Sequence, residues 1–133
     1  MTRVFVDTSA FLALLDRADP KHERARTTFL ALADEELVTH GYVVAESLAM
    51  ARRRFGVEGA IALLDDLLPL VEVLPVEPAL HTNAQARYRA SLPSGTSFVD
   101  QVSLGIIERD GIDTAFVLDG DFDVAHLTIL PRP

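Results

Sequence analysis

RVFVDTSAFLALLD, residues 3–16, is the stretch that decides the fold class. Residues 3–7 are β-branched and aromatic and read as a short buried strand. They pass with no intervening loop into residues 9–16, which read as a helix. The alternation continues outward. After the Asp19-Pro20 break a helix is expected over 22–33, then a strand at 37–39 and a junction at His40-Gly41. Residues 42–55 read as a helix ending before Gly56, and 58–68 as another ending before Pro69. Strands are expected at 70–74, 114–118 and 127–130. Helices are expected at 78–90, with Pro78 in the first turn, and at 97–109. Residues 93–96 read as a loop and 119–123 as a turn. Strands alternating with helices predict an α/β layer structure with a mainly parallel sheet.

The 133 residues suit one domain, and no repeat or polar linker divides them. Apolar residues make up 49% of the chain, enough to fill a core. With no cysteine, disulfides and thiolate metal sites are excluded, and a cytoplasmic location is expected. Asp7 and Asp16 flank an N-terminal apolar stretch too short to span a membrane, and no small-residue cleavage site follows it. Asp65, Asp66 and Glu72 interrupt LLDDLLPLVEVL, residues 63–74, so nothing reaches the roughly 20 apolar residues of a spanning helix. No membrane association is expected.

Acids outnumber bases 20 to 12, for a net charge of −8. A polyanion binder is normally basic, so this balance argues against nucleic acid. The objection weakens where acids cluster to hold divalent cations, because bound metal reverses the local charge. The basic set is eleven arginines and one lysine, Lys21. The arginine fork suits phosphate or carboxylate.

Four acids stand in unusual places. Asp7 lies where an apolar strand ends and a helix begins, as an N-cap or as a site residue at the carboxyl end of a strand. Glu46 is the lone acid in residues 43–51, otherwise apolar almost all round. Such a helix is mostly buried, and its glutamate needs an arginine or a metal. Asp100 shares an apolar flank with Leu104 and Ile107, yet its spacing from Ser97 also fits a capping box. Asp119 follows the apolar run 115–118 much as Asp7 follows its strand. Asp121 is the next candidate, and Asp123 is expected at the surface. Asp-Gly-Asp alone fits a turn. A calcium loop fails, since Leu130 falls where its glutamate belongs.

Each acid has a local explanation; the set points to four carboxylates converging at one sheet edge. Without cations they would repel and their pKa values would rise. Hard divalent ions with oxygen ligands, Mg²⁺ or Mn²⁺ before zinc, resolve this. Such a metal suits phosphodiester hydrolysis, and a second one about 4 Å away would stabilise the leaving oxygen. The four histidines lack metal-ligand spacing, and Tyr42 and the phenylalanines are expected in the core. Arg52-Arg53-Arg54 closes the Glu46 helix, either as an RNA contact or as cations at a helix C-terminus.

VFVDTSAFLALLD, VVAESLAM, SFVDQVSL and AFVLDGDF, in this order and in a chain of this length, resemble the PIN-domain nucleases and in particular the VapC-type toxins. The resemblance spans essentially the whole chain. It implies a three-layer α/β/α PIN fold with a mainly parallel central sheet flanked by helices. It also implies an acidic quartet of Asp7, Glu46, Asp100 and Asp119 binding Mg²⁺ or Mn²⁺, with Asp121 as a further ligand. Ser9 would help position the first acid or a metal-bound water. Endoribonucleolytic cleavage of structured RNA such as tRNA, a homodimer and a cognate antitoxin are implied in the same way. Val117 departs from the family, which often has Ser or Thr there. That departure and the acidic charge motivate a rival, a catalytically silent PIN-fold binding module. A phosphate-accepting aspartyl domain fits less well: it wants a second acid where Ser9 stands, or a late lysine.

Overall fold

The first strand predicted from the sequence becomes the middle of the sheet. A computed structural model of the chain describes residues 2–119, 122, 124 and 126–132. Strands β1 (Arg3–Val6), β2 (Glu36–His40), β3 (Glu72–Leu74), β4 (Thr114–Phe116) and β5 (Thr128–Leu130) form one sheet in the order β3-β2-β1-β4-β5. Every pairing is parallel. A parallel strand covered on both faces carries an unbroken apolar run, which is why Val4, Phe5 and Val6 show no alternation; all three are buried.

Helices α1 (Thr8–Leu15), α2 (His22–Ala31) and α3 (Gly41–Ala62) pack on one another, and α4 (Pro78–Ser91) packs on α5 (Phe98–Asp110). Right-handed crossovers place these two groups on opposite faces of the sheet, giving the three-layer α/β/α architecture. Phe5, Phe11, Phe116, Val102 and Ile106 fill the space between layers. The chain moves from β1 out to β2 and β3, then returns to β4 on the other side of β1. That reversal opens a crevice at the carboxyl ends of β1 and β4, the usual site position in such sheets.

Local chemistry fixes the helix starts around this crevice. Asp7 caps α1, its carboxylate accepting from the Ser9 N–H. Ser97 and Asp100 form a reciprocal capping box on α5. His40 caps α3 through its ring, Nδ1 accepting from the N–H groups of Tyr42 at 3.2 Å and Val43 at 3.4 Å. A ring nitrogen that accepts carries no proton, so Nε2 holds it and donates to Ser103 Oγ at 2.8 Å.

The two helices expected over 42–55 and 58–68 are present and meet at a kink: Gly56 stands outside helical geometry with φ 74° and ψ −164°, and α3 spans the pair. Two expectations change. First, the later helix is α-helical only as far as Ala62 and closes in a π-helical turn, Leu63–Leu67. Second, the Glu46 helix is not mostly buried. Val43, Ser47 and Ala51 are buried while Ala45 and Ala49 are exposed, so its small side chains do not mark burial. The turn expected over 119–123 lies largely outside the described residues.

Candidate active site

Asp7, Glu46, Asp100 and Asp119 line one cleft of ≈ 390 Å³ at the crevice between β1 and β4. Each arrives by a different route. The β1–α1 junction delivers Asp7, 4% exposed, with its backbone N–H tied to the Phe116 carbonyl of β4 at 3.1 Å. On α3, Glu46, Met50 and Arg54 follow at intervals of four and share the cleft face. The buried face of α3, Val43-Ser47-Ala51, is offset from it by one residue. Asp100 stands in the first turn of α5 and caps it while lining the cleft, so capping and site membership coexist. Asp119 follows β4 and is exposed.

Ser9 organises the centre. Its hydroxyl donates to Asp7 Oδ2 at 2.7 Å, its backbone N–H reaches the same oxygen at 3.1 Å, and its Oγ accepts from the Leu118 N–H at 2.9 Å. Both bonds to Asp7 fall on Oδ2, leaving Oδ1 with no hydrogen bond from any described residue. Burial, foremost, pushes the Asp7 carboxyl from 3.8 up to about 7; Asp119 and Asp100 add repulsion, against the Ser9 hydrogen bonds, which pull it down.

The donor chemistry fits a hard divalent cation: carboxylate oxygens from four elements of chain face one cleft, and the innermost resists ionising without a counter-charge. The buried Thr8 hydroxyl in the same wall has no hydrogen-bond partner among the described residues. Among the described residues, no three histidine or acidic side chains are already drawn into a closed coordination set.

The remaining expectations divide. Arg54 lines the cleft; Arg52 and Arg53 are exposed and do not. Glu46 makes no ion pair with an arginine among the described residues, so the salt-bridge alternative is not realised. Asp121 and Asp123 lie outside the described residues. Phe5, Phe11 and Phe116 are core, whereas Tyr42 and Phe98 are half-buried and meet the His81 ring edge-on. Two cleft residues went unnoticed in the sequence, Asp19 and Lys21. Asp19 Oδ1 accepts from the Lys21 N–H at 2.8 Å, fixing the turn before α2, and Lys21 Nζ donates to the Leu118 carbonyl at 2.9 Å. The Asp-Pro break signalled the turn, but nothing local signalled that it folds over the end of β4.

The family model described as PIN domain matches residues 4–126. The chain belongs to the PIN-domain family. This PIN domain is 31% identical over 123 residues to the 23S rRNA-specific endonuclease VapC20 of Mycobacterium tuberculosis, covering 92% of the chain and 93% of that protein. The crystal structure of M. tuberculosis VapC20, a sarcin-ricin loop cleaving toxin, superposes with a TM-score of 0.84 at 30% identity over 94% of this chain and 96% of that one. VapBC2 from Rickettsia felis, bound to a promoter DNA fragment, gives a TM-score of 0.71 at 14% identity, with coverage of 96% and 97%, and shares the fold. No helix among the described residues is long and apolar enough to cross a membrane.

Proposed function

We propose that this PIN domain acts as a single unit, a divalent-metal-dependent endoribonuclease that serves as the toxin of a toxin–antitoxin pair. The observation that carries the reading is the meeting of Asp7, Glu46, Asp100 and Asp119 in one cleft, with the innermost carboxyl raised to about 7. Mg²⁺ or Mn²⁺ bound there would neutralise phosphodiester charge and ease attack by water. Asp7 offers Oδ1, which accepts no hydrogen bond from a described residue, and Ser9 holds the carboxylate in aim through Oδ2. Asp100 keeps its place through the α5 capping box, and Glu46 projects from the cleft face of α3. Arg54, two turns beyond Glu46 on that face, presents a guanidinium to the RNA backbone.

The sequence suggested tRNA or another structured RNA. The named target of VapC20 makes the sarcin-ricin loop of 23S rRNA the first candidate to test. An antitoxin partner, a homodimer and a cytoplasmic location follow from the kinship with VapC toxins and belong to the same proposal.

Purified chain is expected to cut a sarcin-ricin loop hairpin or whole ribosomal RNA in Mg²⁺ or Mn²⁺. EDTA is expected to abolish cutting, as are Asp7→Asn and Asp100→Asn in proteins that keep their circular dichroism spectrum. Cleavage by both variants at the wild-type rate would sink the proposal. Val117 supports a second reading, a silent binding module. Absence of Mn²⁺ binding at millimolar concentration by calorimetry, alongside absence of cleavage, would favour it.

A further inference from the structure

We propose that Lys21 is a substrate-binding residue of this cleft, its ammonium contacting a phosphate of the RNA backbone laid across the acids. The proposal rests on the nuclease reading above and adds a residue to it. Lys21 is the only lysine in the chain, and it stands on the α1–α2 turn at the rim of the acidic cleft. Two bonds hold it there: the Asp19 side chain accepts from its backbone N–H, and its Nζ donates to the Leu118 carbonyl.

An ammonium has three N–H donors. One is bound to Leu118, and the other two meet no acceptor among the described residues. Lys21 forms no ion pair among the described residues either, although Asp7, Asp19 and Asp119 line the same cleft. Among the described residues, then, its charge is not spent on neutralising an acid. A cation tethered through one donor and open through two suits a non-bridging phosphate oxygen, because its position is fixed before the anion arrives. Arg54 lines the same cleft from α3, so two cations carried by different elements share it with the acids. That arrangement offsets, where RNA would lie, the repulsion expected from a net charge of −8. The Leu118 peptide is also gripped from both sides, by Ser9 at its N–H and Lys21 at its carbonyl.

Substitution separates the two duties. A glutamine amide can still donate to the Leu118 carbonyl but carries no charge, whereas arginine keeps the charge. The probe is a fluorescent sarcin-ricin loop RNA hairpin, titrated by anisotropy over a KCl series on an Asp100→Asn background that spares it from cleavage. Lys21→Gln is expected to lower the slope of log affinity against log salt by roughly 0.7–0.9, the loss of one phosphate contact. Lys21→Arg is expected to restore the slope. An unchanged slope and affinity in Lys21→Gln overturns the assignment, and so does a reference protein that does not bind the hairpin. A fall in melting temperature with no change of slope also overturns it, since that marks a purely structural tether. Failure of the nuclease reading shows separately, as wild-type protein that binds the hairpin with the expected slope yet cuts nothing in Mg²⁺ or Mn²⁺.

Discussion

The Ser9 hydroxyl donates to Asp7 Oδ2 across 2.7 Å, and the same oxygen atom of Ser9 accepts the Leu118 N–H. One small side chain thus joins the ends of β1 and β4, the two strands that flank the crevice. Replacing Ser9 by alanine frees the buried carboxylate to rotate and leaves the Leu118 N–H without its acceptor. A partner that orients a metal-binding side chain is typically worth about 10–100-fold in metal affinity or activity. Ser9→Ala is expected to lose that much Mn²⁺ affinity, measured by calorimetry, while the fold persists. Wild-type affinity in Ser9→Ala would show that the hydroxyl does not aim Asp7.

Asp7 gives the metal-free chain a pH-dependent weakness. Its folded pKa of about 7 lies above its ordinary 3.8, so the folded state holds the proton more tightly. The associated stability is fully present below pH 3.8 and is lost as pH rises through about 7. At about 1.4 kcal/mol per pKa unit the loss has an upper bound of about 4 kcal/mol. Urea melts in EDTA are expected to show Asp7→Asn gaining on the wild type as pH rises through that window. Metal affinity should climb through the same window, because binding requires the ionised carboxyl. A constant difference between the two proteins from pH 4 to 8 would refute this.

His40 contributes in the opposite sense. It is 0% exposed, and burial lowers its pKa from 6.5 to about 4. Its stabilising part is present above pH 6.5 and is lost as pH falls through about 4. Protonation would also destroy the Nδ1 acceptor that caps α3, the helix bearing Glu46. His40→Asn retains a capping side chain that does not titrate. It is expected to be less stable than wild type at pH 7 but to lose less on acidification. A variant that follows the wild-type acid profile would exclude His40 as the titrating group.

Gly56 marks where α3 changes course. Its φ of 74° with ψ of −164° lies in a region essentially reserved for glycine, although no atom stands within 4 Å of where a Cβ would sit. The penalty for Gly56→Ala is therefore a matter of backbone strain, about 1–3 kcal/mol. Urea denaturation should report that loss; unchanged stability would mean that α3 can straighten at no cost.

The residues that were legible in the sequence are those whose local context carries the signal. Val4-Phe5-Val6 reads as a doubly covered strand because three consecutive apolar residues leave no solvent face. Asp7, Asp100 and Ser97 declare themselves through the cap positions they occupy. Glu46 was found for a reason that does not hold: alanines made its helix look buried, when two of them face solvent. What marks Glu46 in space is its alignment with Met50 and Arg54 on a face beside the buried one. Lys21 and Asp19 could not be read as cleft residues, since that role depends on the α1–α2 turn reaching Leu118, 97 residues away from Lys21 in sequence. His40 was visible only as a junction, because ring capping and the bond to Ser103 need the tertiary fold.

The scarcity of lysine at this cleft has a practical corollary. Acylating or reductively methylating reagents meet a single side-chain amine in the entire molecule, and that amine borders the acids. Mass-shift footprinting at Lys21 can therefore follow whether an antitoxin, an oligonucleotide or a small inhibitor shields the cleft, with no engineered label and no background from other lysines.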